Sequence, residues 1–108
     1  MATPTSSDTP AAPDDRFYDR ADEHIELSNQ QINATETRGK VSASMMYANA
    51  RFSAWICASG FSSQKDMAAA REERIAFFCE QYRKMLNEHY DDYVENFDDY
   101  MKTESTQT

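Results

Sequence analysis

The segment SQKDMAAAREERIAFFCEQYRKMLNEHYDDYVENFDDYM, residues 63–101, carries the strongest structural pattern in the chain. Its large apolar residues recur at intervals of three to five positions, and no glycine or proline interrupts them. This spacing predicts a long helix, because residues three and four apart lie on one helical face. The helix either continues to Met101 or splits near residues 87–92 into a fourth helix. The predicted fold class is all-α, a three-helix bundle with a long third helix.

A second helix is predicted immediately before this segment. Gly60 marks a break, and Ser63 followed three residues later by Asp66 is a capping-box-like start for the third helix. Between about Val41 and Ser59, apolar residues lie on two faces. We expect this helix in the middle of the bundle, because both of its apolar faces need cover.

The first helix is predicted to begin at Asp14 and to run to about Ala34, with Gly39 in the break that follows it. Its apolar face is formed by residues spaced by three and four, namely Phe17, Ala21, Ile25, Ser28 and Ile32.

The predicted domain organisation is a helical domain at 14–102 between two short tails. Residues 1–13 and 103–108 hold few large apolar side chains. Such segments cannot bury enough surface to offset the entropy lost on ordering, so both are predicted to be disordered.

The net charge of −8 is unevenly distributed along the chain. Residues 37–87 carry eight bases against four acids, whereas residues 14–36 and 88–108 are strongly acidic. This layout predicts that the acidic flanks lie near the basic centre, in the same chain or in a neighbouring copy. It also predicts no direct nucleic-acid binding, because neutralising phosphates requires a basic surface.

The location predicted from the sequence is the cytoplasm. The N-terminal residues show no basic region followed by an apolar run, which a secretory signal would have. No segment reaches about eighteen consecutive apolar residues, the length that a membrane-spanning helix needs. We therefore expect no contact with a membrane.

Four aromatic residues near the end of the third helix form a predicted interaction seam. Tyr90, Tyr93, Phe97 and Tyr100 are separated by three, four and three positions, as in a coiled coil, and are flanked by acids. We expect these rings to be buried against protein. The cover is a fold-back onto the chain's own bundle, a second copy, or a different protein partner, and the sequence leaves all three open.

Arg51 is the only full charge inside the apolar second helix, one turn after Tyr47 and one turn before Trp55. One interpretation is an ion pair with Asp22 or Glu26 of the first helix, the guanidinium lying on an aromatic ring. The functional alternative is a small-anion pocket formed by Arg51, Tyr47 and Trp55.

No catalytic residue, cofactor site or metal site is predicted. The chain holds two glycines and two histidines, and it contains no GxSxG motif or glycine-rich phosphate loop. Cys57 and Cys79 share no metal-ligand spacing, so both are expected to be buried thiols. The acids of residues 91–99 lack a calcium-loop pattern, and we interpret them as a solvated face.

Three blocks of the sequence resemble a known family. DRADEHIELSNQQ, GKVSASMMYANARFSAW and EQYRKMLNEHYDDYVENFDDY are similar, in this order and spacing, to short bacterial proteins that form domain-of-unknown-function family number 3144. The resemblance spans about residues 17–100 and implies a bacterial, cytoplasmic, mainly helical protein. It implies no reaction, ligand or catalytic residue.

The function predicted from these patterns is that of a non-enzymatic interaction or regulatory protein that forms a homo-oligomer. Two alternatives remain open: a small-anion or metabolite binder centred on Arg51, and an acidic decoy for a nucleic-acid-binding protein.

Overall fold

A computed structural model describes the backbone of residues 13–107 and the side chains of residues 13–102. The fold is all-α, as predicted, and no strand is present between residues 13 and 107. The helices in that range are α1 (Phe17–Gln31), α2 (Arg38–Ser59), α3 (Gln64–Ala69), α4 (Arg71–Glu95) and α5 (Phe97–Gln107). The predicted tail 1–13 falls almost entirely outside the described residues, whereas α5 continues five residues beyond the predicted boundary at 102.

The chain divides into two units, Met1–Ala68 and Ala69–Thr108. The first unit holds α1, α2 and most of α3, and the second holds α4 and α5. The predicted third helix is thus interrupted twice in the structure, and its longer part forms a unit without α1 or α2.

Helix α1 begins three residues later than predicted, at Phe17. The Asp14 carboxylate nevertheless holds the preceding turn, because its Oδ1 accepts the backbone N–H of Arg16 at 2.9 Å and its carboxylate pairs with Arg20 at 2.6 Å. The predicted apolar face is half-buried, apart from Ile25, which is exposed; its half-buried members are Phe17, Ala21, Ser28 and Ile32. Ser28 Oγ donates to Met45 Sδ of α2 at 3.6 Å.

The connection between α1 and α2 is a turn built on Asn33, not on the glycine. Asn33 Oδ1 accepts the backbone N–H groups of Thr35 and Glu36 at 2.9 and 2.8 Å. Thr37 then caps α2, since its Oγ1 accepts the N–H of Lys40 at 3.3 Å. The prediction of a break at Gly39 is therefore wrong: the side-chain cap starts the helix before the glycine, which lies inside α2.

Helix α2 is buried at only a few of its apolar positions. Val41 and Cys57 are buried and Ile56 is half-buried, whereas the large side chains of its central turns remain exposed: Met45, Met46, Tyr47, Phe52 and Trp55. The expectation that both apolar faces of α2 are covered is not met in the single chain.

The start of α3 follows the predicted capping pattern, because Ser63 Oγ accepts the N–H of Asp66 at 3.1 Å. The predicted split near 87–92 is wrong, since α4 is continuous there and ends at Glu95. The interruption falls at Asn96, whose side-chain amide donates to the Asp92 carbonyl at 3.2 Å and to Asp92 Oδ1 at 2.8 Å. Side-chain competition for a helical carbonyl is a known cause of helix bending.

Candidate interaction surface

An exposed apolar stripe runs along α4. Its members follow one another at intervals of four, three, four, four and three residues, and they are Ile75, Cys79, Tyr82, Leu86, Tyr90 and Tyr93. We call this set the α4 stripe. At 3.6 residues per turn, these positions fall within an arc of roughly 80° on one side of the helix.

The α4 stripe is open to solvent over its whole length. Ile75, Tyr82, Leu86 and Tyr93 are 46–48% exposed and Tyr90 is 68% exposed, and Cys79 is exposed as well. A shallow depression lies along one edge of the stripe, lined by the stripe residues Cys79, Tyr82 and Leu86 and by the neighbouring Ala76, Glu80, Arg83 and Asn87. Positions i, i+3, i+4 and i+7 are the four that form a hole for a side chain of a facing helix in a coiled coil.

The predicted interaction seam overlaps the α4 stripe and crosses the interruption at Asn96. Tyr90 and Tyr93 lie in α4, Phe97 and Tyr100 lie in α5, and the four side chains are 39–68% exposed. Neither helix of the unit that holds these four rings covers them, and a fold-back onto the chain's own bundle stays a prediction. Cover by a second copy or by another protein stays a prediction.

A hydrogen-bonded cluster links α4 to α5 beside the seam. Tyr100 Oη donates to Asp92 Oδ2 at 2.8 Å, while Asn96 Nδ2 donates to Asp92 Oδ1. The rings of Tyr93 and Tyr100 meet edge to face, with centroids 4.8 Å apart. The hydrogen bond to the Asp92 carboxylate raises the pKa of Tyr100, because it favours the neutral phenol. The cluster thus keeps two seam rings together across the bend.

Charge is distributed asymmetrically along this unit. Residues 71–84 carry four bases and three acids, whereas residues 85–99 carry six acids and no lysine or arginine. The α4 stripe therefore passes from mixed surroundings at its N-terminal end to strongly acidic surroundings at its C-terminal end. The direction in which a partner helix can lie along the stripe depends on this asymmetry.

The three residues of the predicted anion pocket are exposed on α2. Tyr47 and Trp55 are 70% and 68% exposed, each four residues from Arg51, which is exposed too. Among the described residues no carboxylate forms an ion pair with Arg51, so the predicted pair with Asp22 or Glu26 is not found. Anion binding at this place stays a prediction.

Other kinds of site have little support in the part of the chain that the structure describes. No three His, Cys, Asp or Glu side chains there lie close enough to hold a metal ion. No described helix combines the length and the apolar character needed to cross a bilayer. Both cysteines are free: Cys57 is buried as expected, but Cys79 is exposed, contrary to expectation, and belongs to the α4 stripe.

These features define a small all-α protein whose described surface presents apolar helical faces. The chain belongs to the family of proteins of unknown function DUF3144, whose profile matches residues 17–94. It is similar to the protein NB7890A from Shewanella sp., of which an NMR structure is known. The two are 39% identical, with a TM-score of 0.71, over 86% of this chain and 98% of that one. No curated protein matches the chain.

The sequence contained a signal for the N-terminal part of the α4 stripe that the seam prediction missed. Ile75, Tyr82 and Leu86 continue the spacing of the predicted seam backwards by about four turns. Their coiled-coil register is visible when the pattern is followed through the whole helix instead of its last aromatic residues.

Proposed function

We propose that this protein is a non-enzymatic, cytoplasmic helical module that acts by associating with itself. The observation that carries the proposal is the exposed α4 stripe. Scattered apolar side chains are normal on a protein surface, but a continuous stripe of large ones is typical of an interaction site. The exposed side chains of α2, among them Phe52 and Trp55, add to the apolar surface available for association.

A second copy is favoured as the partner because small chains often complete their hydrophobic core by oligomerising. Closed dimers with a two-fold axis are the commonest arrangement, and they pair the same surface on both subunits. An amphipathic stripe in coiled-coil register suits such pairing, since side chains of one copy enter the holes of the other.

A small-anion binder is the second candidate function. Arg51 is exposed between two aromatic side chains and has no carboxylate partner among the described residues. A thermal shift with inorganic phosphate that is lost in Arg51→Met would support it. Unchanged melting of the unmodified chain in phosphate would reject phosphate binding. The acidic decoy remains a third hypothesis, based on the five acids of residues 91–99.

Molar mass in solution tests the main proposal. We expect light scattering of the full chain to give at least about 25 kDa, twice the 12.4 kDa of one chain. The double substitution of Tyr82 and Leu86 by serine should lower the mass toward that of one chain. A matched control replaces two exposed apolar residues outside the stripe, Phe77 and Val94, by serine and should leave the mass unchanged.

The outcomes separate the two parts of the proposal. A single-chain mass for the unmodified protein at all concentrations would refute self-association. An oligomer that both double variants preserve would retain self-association but place it on another surface, such as α2.

A further inference from the structure

The α4 stripe has no facing helix within its own unit. That unit, Ala69–Thr108, holds α4 and its continuation α5, which are joined end to end at Asn96. The backbone bond from Tyr100 N to Asn96 O, 3.2 Å, continues the helical i to i+4 pattern past the interruption. Two helices joined end to end cannot cover the side of α4, so any cover of the stripe comes from outside this unit.

We infer that the α4 stripe packs against the α4 stripe of a second copy, and that the two helices run antiparallel. This inference rests on the proposed self-association and specifies its surface and its direction. The register supports a helix as the occupant, because Cys79, Tyr82, Arg83 and Leu86, which line part of the depression, have the i, i+3, i+4 and i+7 spacing of a coiled-coil hole. The same stripe supplies apolar side chains that fit such holes, so it is complementary to itself.

Charge determines the direction. In a parallel pair, the six acids of residues 85–99 would lie beside the same six acids of the other copy. Like charges held close together across an interface are unfavourable and select against that arrangement. In an antiparallel pair, the acidic half of each helix lies beside residues 71–84 of the other, which carry four bases and three acids, so fewer like charges face each other than in a parallel pair.

Distances between spin labels test this arrangement in the full-length protein. Labels are attached to single cysteines introduced one at a time at Glu73, Lys84 and Glu95, which are exposed and lie outside the stripe. The background carries Cys57→Ala and Cys79→Ala. Light scattering on each labelled variant verifies that its mass equals that of the unmodified protein.

An antiparallel pair imposes a fixed relation on the three distances. Glu73 and Glu95 are 22 residues apart, or about 33 Å along the axis at 1.5 Å per residue. If the two-fold axis crosses α4 between them, their two inter-copy distances add up to about 66 Å, apart from the lateral spacing and the label arms. The distance at Lys84 then equals about half the difference between those two, because position 84 is midway.

A parallel pair in register predicts something different. All three distances would then be equal, at the helix spacing of about 8–10 Å plus one helix diameter of about 10–12 Å and the label arms, because the labels lie on the faces turned away from the partner. That result would overturn the inference and leave the proposed function standing. Three long distances in a dimer would also overturn it, because α4 would then be away from the interface.

A labelled protein with the mass of one chain is informative only if the unmodified chain is an oligomer. In that case the cysteine background or the label has disrupted the contact. The same three labels are then measured in a background that carries Cys79→Val in place of Cys79→Ala, because valine keeps an apolar side chain of similar size at that position. If the unmodified chain is itself monomeric, the proposed function and this inference fail together.

Discussion

Leu86 lies at the centre of the α4 stripe, and its truncation to alanine is the most informative single change. The side chain is 48% exposed in the single chain, and it borders the depression that would receive a side chain of the second copy. Leucine and alanine both favour helix, so the substitution should leave α4 intact. The change therefore removes contact surface with little effect on the helix that carries it.

The magnitude follows from the exposed fraction of Leu86. Complete burial of a leucine side chain is worth about 1.5–3 kcal/mol. Because about half of Leu86 is already covered, dimerisation would add about 0.7–1.5 kcal/mol for each copy. Two copies contribute about 1.5–3 kcal/mol to one dimer, of which alanine retains a part through its Cβ. We expect Leu86→Ala to raise the dissociation constant about tenfold, since about 1.4 kcal/mol corresponds to a factor of ten.

Sedimentation equilibrium over a dilution series measures the dissociation constant of each variant. The matched control is Val94→Ala, which shortens an exposed aliphatic side chain on the same helix about 80° away from Leu86. Circular dichroism verifies that both variants keep the helix content of the unmodified chain. If Leu86→Ala and Val94→Ala have the same small effect, the α4 stripe does not form the contact and the reasoning is wrong.

Three further predictions concern local structure. Thr37→Ala should destabilise the protein to unfolding by about 1 kcal/mol, because the N–H of Lys40 loses its cap, whereas Thr37→Ser should be nearly neutral in the same thermal melts. The phenol of Tyr100 should titrate above an ordinary tyrosine in ultraviolet difference spectra against Tyr100→Phe, and Asp92→Asn should lower its pKa toward the ordinary value. Because the pKa of Tyr100 is raised on folding, its stabilising contribution is complete below the unfolded-state pKa and is lost as pH rises through the folded-state pKa. The carboxyl group of Asp14 should titrate below its ordinary range in NMR, because the hydrogen bond from Arg20 favours its charged form. Arg20→Gln should raise the pKa of Asp14. The contribution of Asp14 to folding stability is present above its unfolded-state pKa and is lost as pH falls through its folded-state pKa.

The residue at which a helix begins or ends could be predicted from the sequence where the side chain that caps or interrupts the helix was recognised. Ser63 caps α3 as its spacing from Asp66 indicated. The break assigned to Gly39 was wrong because Thr37 supplies a stronger local signal: a side-chain oxygen that satisfies a free N–H, whereas a glycine inside a helix only weakens it. The bend at Asn96 was missed because it arises from an amide that reaches back to Asp92, which no periodicity of apolar residues reveals.

The candidate interaction surface could likewise be predicted from the sequence only in part. The register of Tyr90 and Tyr93 was readable in the sequence, and the same register extends to Leu86, Tyr82 and Ile75. That the rings are exposed in the single chain, and that Asp92 holds Tyr100 beside Tyr93, could be known only from the structure.

The helical character of this protein and the residues that share each helical face could be predicted from the sequence alone. Those properties arise from hydrogen bonds and side-chain spacings within a few residues of one another. Which positions are covered follows from the packing of the helices: Val41 and Cys57 are buried, whereas Trp55 and the α4 stripe are open. Burial depends on contacts between residues distant in the chain, and the pattern along a single helix cannot specify which other helix supplies them.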